Sequence, residues 1–374
     1  MNKTTLFATI PYRNGETYNQ KEGLLKMIID IRNLLKQVKR AWRIFVRPPK
    51  ESRKFAVLDT LPVVFKRVAS CSTEKQPKQV AVSETHNLAF VSCMEGKCVQ
   101  VFGLKDLRLA DTLNFDDQCV EVVVDGDLLF VTTTNFGRAV RKNMLYIVDI
   151  PTLSIVGSVN PEGNWSKVIA IAPSKDIALV SNWHTHDISV VDIKDISNPR
   201  LLQRVPCGES PRGLTFVNDN KVLAACFYSG TIVELTRQEG GEFAISHKTL
   251  PFEFPKYGGN LRDIALDPHN KDIAWVSNLG RNMVHRYSIS RKRIEGSVMV
   301  GKEPNSIRFL KGRNNTLLVS CRASNTIVVL DTEKQTIVGK SFPTGSMPTG
   351  LETFQGGFLT TGFEGNTLEM YRPI

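Results

Sequence analysis

The chain has 374 residues, 41% of them apolar and 23% charged, which is enough apolar material for a large core and excludes a disordered polymer. No apolar run reaches the ~18 residues that a membrane-crossing helix needs, and the first 23 residues lack the apolar stretch and cleavage site of a secretory signal, so a cytoplasmic protein is expected. The net charge of +11 is concentrated, because residues 21–54 hold eleven Lys or Arg against three acids.

Residues 24–47 carry that charge. Leu24, Ile28, Ile31, Leu35, Val38, Trp42 and Phe45 recur in steps of four and three, which places them on one side of a predicted helix. Lys36, Lys39, Arg40 and Arg43 crowd the opposite side, and Pro48-Pro49 ends the helix. An apolar stripe with Trp42 and Phe45, backed by cations, suits a helix lying at the inner, anionic face of a membrane. Docking on the body of the protein or pairing with a partner helix are the competing roles. Nucleic acid is not an expected partner, since no recognition motif accompanies the charge. Two segments result: residues 1–54, a basic amphipathic helix and linker, and residues 55–374, the folded body.

PVVFKRVAS 62–70 reads as a strand, and beyond it the chain repeats. The runs LAFVSC 88–93, LLFVTT 128–133, IALVSN 177–182, VLAACF 222–227, IAWVSN 273–278, LLVSC 317–321 and FLTTG 358–362 are spaced by 40 to 52 residues. Ser92, Thr132, Ser181, Ala225, Ser277, Ser320 and Thr361 hold equivalent places in them. Each run sits among three other short strand-like segments separated by Asn, Asp, Gly and Pro turns, as in the unit that passes from KEPNSIRF 302–309 through TIVVLD 326–331 to TIVGKSF 336–342. Seven four-stranded sheets must pack face to face around an axis to cover their apolar surfaces. The last unit ends after its third strand, so residues 62–70 are expected to complete it and close the ring.

These units resemble the YVTN-repeat β-propellers, and LYIVDI 145–150 with ISVVDIKDISNPRLLQRV 188–205 resembles the related LVIVD repeat. The resemblance implies an all-β, seven-bladed β-propeller behind an N-terminal amphipathic α-helix. It implies little about activity, because the group includes surface-layer components, binding proteins and lactonase-like or cofactor-dependent enzymes.

Propellers of this kind bind at the end of the channel where the inner strands begin. The entering loops put Lys78, Gln118, Ser166, Arg212, Arg262, Asn305 and Thr349 at matching positions. Neighbouring turns add Arg138, Arg141, Lys142, His184, His186, Arg281 and Arg322, with Trp165, Trp183, Tyr228 and Phe363 as flat apolar surfaces. A positive field focused in a concave mouth favours carboxylates, phosphates or an acidic peptide, and arginine adds a bidentate fork. The alternative is solvated loop charge. A calcium-assisted, lactonase-like site would instead draw on Glu121, Asn182, Asp263 and Asn278, whereas His184 and His186 lack a third ligand for zinc. No nucleophile elbow or phosphate loop appears, and seven cysteines without a C-x-x-C pair signal reduced, buried thiols. The expectation is therefore a non-catalytic binding or scaffolding propeller with no cofactor, taking an anionic small molecule or a protein segment, and a metal-assisted enzyme is the runner-up.

Overall fold

A computed structural model describes residues 64–135, 143–249 and 259–374, all of them within the compact unit Ala56–Ile374. The predicted helix over 24–47 lies outside the described residues, as do Arg138, Arg141 and Lys142.

The described residues form seven antiparallel sheets. Blade 1 consists of Pro77–Ser83, Leu88–Cys93, Cys98–Gly103 and Leu109–Asn114, from the channel outward. Blade 2 is built from Gln118–Asp125, Leu128–Thr134, Met144–Asp149 and Ser154–Val159, and blade 3 from Ser166–Ile171, Ile177–Asn182, Asp187–Asp192 and Arg200–Pro206. Blade 4 contains Pro211–Asn218, Lys221–Cys226, Thr231–Arg237 and Phe243–Lys248. Blade 5 follows with Leu261–Leu266, Ile273–Asn278, Met283–Ser288 and Arg293–Met299. In blade 6, Pro304–Leu310, Arg313–Cys321 and Thr326–Asp331 are edged by a broken outer strand, Thr336–Ile337 and Phe342–Pro343.

The second strands read as unbroken apolar runs because both of their faces are covered. In blade 3, Ile177 and Leu179 pack toward blade 4, while Ala178 and Val180 pack toward blade 2. The same division produces one apolar cluster between every pair of neighbouring blades, seven in all, so the core is a ring of seams. Outer strands have a neighbour on one edge only and alternate toward solvent, as in Arg200–Pro206.

Blade 7 is closed from both ends of the described chain. Pro348–Phe354, Gly357–Gly362 and Thr367–Pro373 are joined on their outer edge by Phe65–Ser72, which pairs antiparallel from Phe65↔Pro373 to Ser72↔Thr367. The expected closing strand is present and runs two residues past the predicted end. Phe65, only 5% exposed, wedges between Phe342 and Phe358 at centroid distances of 5.5 and 5.0 Å. Arg67 pairs with the buried carboxylate of Glu369, and the Tyr371 hydroxyl donates to Pro343 O at 2.8 Å.

Candidate functional site

All seven inner strands carry a β-bulge where they enter the sheet. The periodic hydroxyls of the second strands hold these bulges. Ser92 accepts the Gln79 N–H at 3.1 Å and donates to Val120 O of the next blade at 3.0 Å. Thr132 takes the Glu121 N–H and donates to Lys167 O at 2.9 Å, and Ser181 takes the Val168 N–H and donates to Arg212 O at 3.2 Å. Ser277 accepts from Asp263 N and donates to Asn305 O at 2.7 Å. A hydroxyl is needed at these places because it both accepts and donates, fastening its own blade and bridging to the next.

These bonds fix which residue faces the mouth in each blade. The residue before each bonded N–H is Lys78, Val120, Lys167, Arg262, Asn305 or Thr349, with Arg212 at the matching place in blade 4. Gln118 and Ser166 are therefore displaced from the expected register, and the true equivalents in blades 2 and 3 are Val120 and Lys167. The bulge hides the offset, since it inserts a residue that a simple strand alternation does not count. A usable signal was present two positions later: Val80, Val122, Ile169, Leu214, Ile264, Ile307 and Leu351 are all buried and align the seven strands.

Lys78, Lys167, Arg212 and Arg262 thus come from four inner strands, and Arg322 joins them from the 3₁₀ turn Arg322–Ser324 of blade 6. Burial holds the Lys78 ammonium well below the usual lysine range, and the charges of Arg262, Arg212, Lys167 and Arg322 depress it further. Lys167 is lowered by burial and then by Arg212 and Arg262. Arg262 is likewise depressed by burial, Arg212 and Arg322. These are the signs of like charges gathered in a low-dielectric mouth.

Among the described residues, two carboxylates meet Arg212 and Arg322 at the margins of this cluster. Glu121 approaches Arg212 at 3.8 Å and accepts from Gln79 Nε2 at 2.9 Å, and Glu303 approaches Arg322 at 3.9 Å. Arg262 donates to Asn305 Oδ1 and sits over the Phe227 ring, while Lys78 sits over Phe363 at 5.6 Å. Deeper in the channel, Arg308 bridges Asp263 at 2.7 Å and Glu352 at 3.4 Å. Burial opposes the Arg308 charge, but Asp263, Glu352 and Glu121 more than offset it and raise its pKa. Glu121 is pushed upward by burial, against the opposing pull of Arg212, Gln79 and Arg308.

Aromatic side chains line one arc of the rim, on blades 3 and 4. Lys167 lies 3.9 Å from the Trp165 ring centroid and 5.9 Å from that of Trp183. Trp183 in turn contacts Phe227 and Tyr228, and His184 meets Trp165 edge-on at 4.5 Å. Tyr228 remains 39% exposed and His184 is exposed, with its pKa lowered by burial first and by Lys167 second. Arg281 is exposed on the 3₁₀ turn Leu279–Arg281. His186 Nδ1 accepts the Ser210 N–H at 3.0 Å, which commits that ring to the loop.

The four residues of the calcium alternative are not gathered at one point. Glu121 and Asp263 line the same channel cavity but face arginines. Asn182 is bonded to Ser166, Asp187 and Ser189 inside blade 3, and Asn278 to His285 and the Arg281 N–H inside blade 5. Among the described residues, no three His, Cys, Asp or Glu side chains form a metal-holding group.

Fold and geometry together define a seven-bladed β-propeller with a cation-rich channel mouth. No protein-family model matches the chain, and the likeness to the YVTN and LVIVD repeats is one of motif alone. It is similar to Antigen Lp49 of Leptospira interrogans serogroup Icterohaemorrhagiae serovar copenhageni (strain Fiocruz L1-130), with 25% identity over 332 residues, 82% of this chain and 69% of that protein.

Proposed function

We propose that this propeller is a non-catalytic binding module that captures an acidic ligand at its channel mouth. One observation carries the reading: cations from five blades converge, and among the described residues two carboxylates lie within ion-pair distance of Lys78, Arg212, Arg262 or Arg322, each at the outer limit of contact. Such a cluster is held in place by the fold against its own repulsion, and an incoming anion relieves that repulsion. The similarity to a protein named as an antigen is compatible with a binding role and does not specify a ligand.

Calorimetric titration with inorganic phosphate tests this. Replacing Arg212, Arg262 and Arg322 by Met together with Glu121→Gln, so that the buried carboxylate is not stranded, is expected to abolish binding in a protein with unchanged circular dichroism. Retained binding would show that the mouth is not the site.

The basic stripe over 24–47 is the proposed tether, holding the propeller at an anionic membrane surface on the strength of its sequence pattern. Flotation with phosphatidylserine vesicles should recover the full chain and not a chain lacking residues 1–50. Equal recovery of both would remove the tether.

A further inference from the structure

The mouth is not symmetric, and its asymmetry carries information about the ligand. The cations lie toward the axis, where Arg212 is 7% exposed and, with Arg262 and Asn305, borders a channel cavity of about 280 Å³ whose deeper wall carries Glu121, Asp263 and Arg308. That volume is at the lower end for small-molecule sites and is too small for a folded peptide segment. On the arc of blades 3 and 4 the rim changes to flat apolar surface, with Tyr228 and Trp165 reached by solvent beside the buried Trp183. Among the described residues two marginal carboxylates face Lys78, Arg212, Arg262 and Arg322, so positive charge is in excess there. A ligand that matches these features has a compact, multiply charged anionic head and a planar ring that projects toward one side.

We infer that the channel mouth takes a dianionic phosphate monoester whose organic part bears a planar aromatic ring, the head among Arg212, Arg262 and Lys78 and the ring against Tyr228 and Trp165. This inference rests on the anion-binding reading above. Arginine suits the head because its planar fork matches two phosphate oxygens. Asn305 Nδ2 already donates to Thr349 O, so its Oδ1 is left to orient Arg262. The ring gains contact with aromatic faces without needing any hydrogen bond, and the part of Tyr228 that is open to solvent is where it would settle.

The test compares four probes on the full chain: inorganic phosphate, adenosine monophosphate, adenosine and hexaglutamate. Adenosine monophosphate is expected to bind at least about tenfold more tightly than phosphate, the size that one ring stack supplies, and adenosine is expected not to bind. Tyr228→Ala should bring the monophosphate down to the level of phosphate and leave phosphate unchanged, which a folding defect would not do. Equal affinity for phosphate and the monophosphate would overturn this inference while leaving an anion site intact. Binding of hexaglutamate in preference to the monophosphate would overturn it in favour of an acidic peptide. Failure of every anion to bind would overturn the site itself.

Discussion

Glu121→Gln gives the sharpest prediction, because the structure fixes both its sign and its scale. Arg212 is the mouth cation that shares its charge with a buried carboxylate, Glu121 at 3.8 Å, and the two side chains are 9% and 4% exposed. At an effective dielectric of about 20, a pair at that separation is worth about 4 kcal/mol. Not all of this is recoverable, since burial already biases Glu121 toward its protonated form and its Gln79 contact survives the change. A gain of about 1.4–2.8 kcal/mol remains, so the variant is expected to bind inorganic phosphate ten- to a hundredfold more tightly at neutral pH. The unligated variant should be less stable, because Arg212 loses its compensation, and phosphate should restore that stability. Calorimetry and phosphate-dependent melting read both effects. Unchanged or weaker binding in a folded variant would refute the coupling between Glu121 and the site. The calcium reading expects the opposite outcome, loss of function, because the substitution deletes a carboxylate ligand.

Two further expectations concern proton linkage and ring closure. Lys78 and Lys167 titrate below their unfolded value of about 10.5, so between the folded and unfolded values the unfolded chain carries more protons, and unligated stability should rise with pH through that window. Anion affinity should fall over the same window, since the site then discharges; melting curves with and without phosphate across pH 6–10 check both signs, and a parallel rise would contradict the assignment. Phe65→Ala removes a nearly buried ring from the closing seam and is expected to cost about 3–5 kcal/mol in urea unfolding. A loss below about 1 kcal/mol would mean that the ring does not depend on this strand.

The architecture was legible because its cause is local and repeated. A strand covered on both faces must be apolar at every position, so each second strand announces itself, and the hydroxyl at Ser92, Thr132, Ser181 and Ser277 recurs because these four junctions use the same double hydrogen bond. The closing strand was legible by subtraction, from a last blade that lacked an outer edge. The placement of the candidate residues was legible where a residue sits in the repeated frame, as Lys78, Arg212, Arg262 and Arg322 do. It failed at Lys167, where the bulge shifts the frame, and at the pairings of Glu121 with Arg212 and of Asp263 with Arg308. Those contacts join residues about 45 to 90 positions apart, and only the curvature of the ring decides which blades face each other. Asn182 and Asn278 misled for the converse reason: they share a frame position, yet each is spent on hydrogen bonds within its own blade.

One second strand has no hydroxyl at the stitching position, and it lies beneath the site. Blade 4 has Ala225 where the second strands of the other blades have Ser or Thr, and its inner strand has Gly213 where blades 5 and 6 have Asp263 and Ser306. The backbones explain both. A Cβ on Gly213 would lie 2.9 Å from Asp263 Cα, 3.0 Å from Ile264 N and 3.1 Å from Arg262 O, all main-chain atoms of blade 5. Nearby, a Cβ on Gly259 would lie 2.2 Å from Gly230 Cα. Blades 4 and 5 therefore approach too closely for side chains at these points, and the residues immediately before the contact on either side are Arg212 and near Asp263, Arg262. Close backbone approach is thus what sets two arginines next to each other against their repulsion. Gly213→Ala should accordingly widen the junction, destabilise the protein by about 1–3 kcal/mol and weaken phosphate binding although no charge has changed. Gly241→Ala, on an outer turn with open space around it but a φ of +90°, is the matched control for backbone strain alone. If both variants lost stability and only the first lost phosphate affinity, the spacing of the two blades would be the determinant; equal affinity in the two would show that the arginines assemble without it.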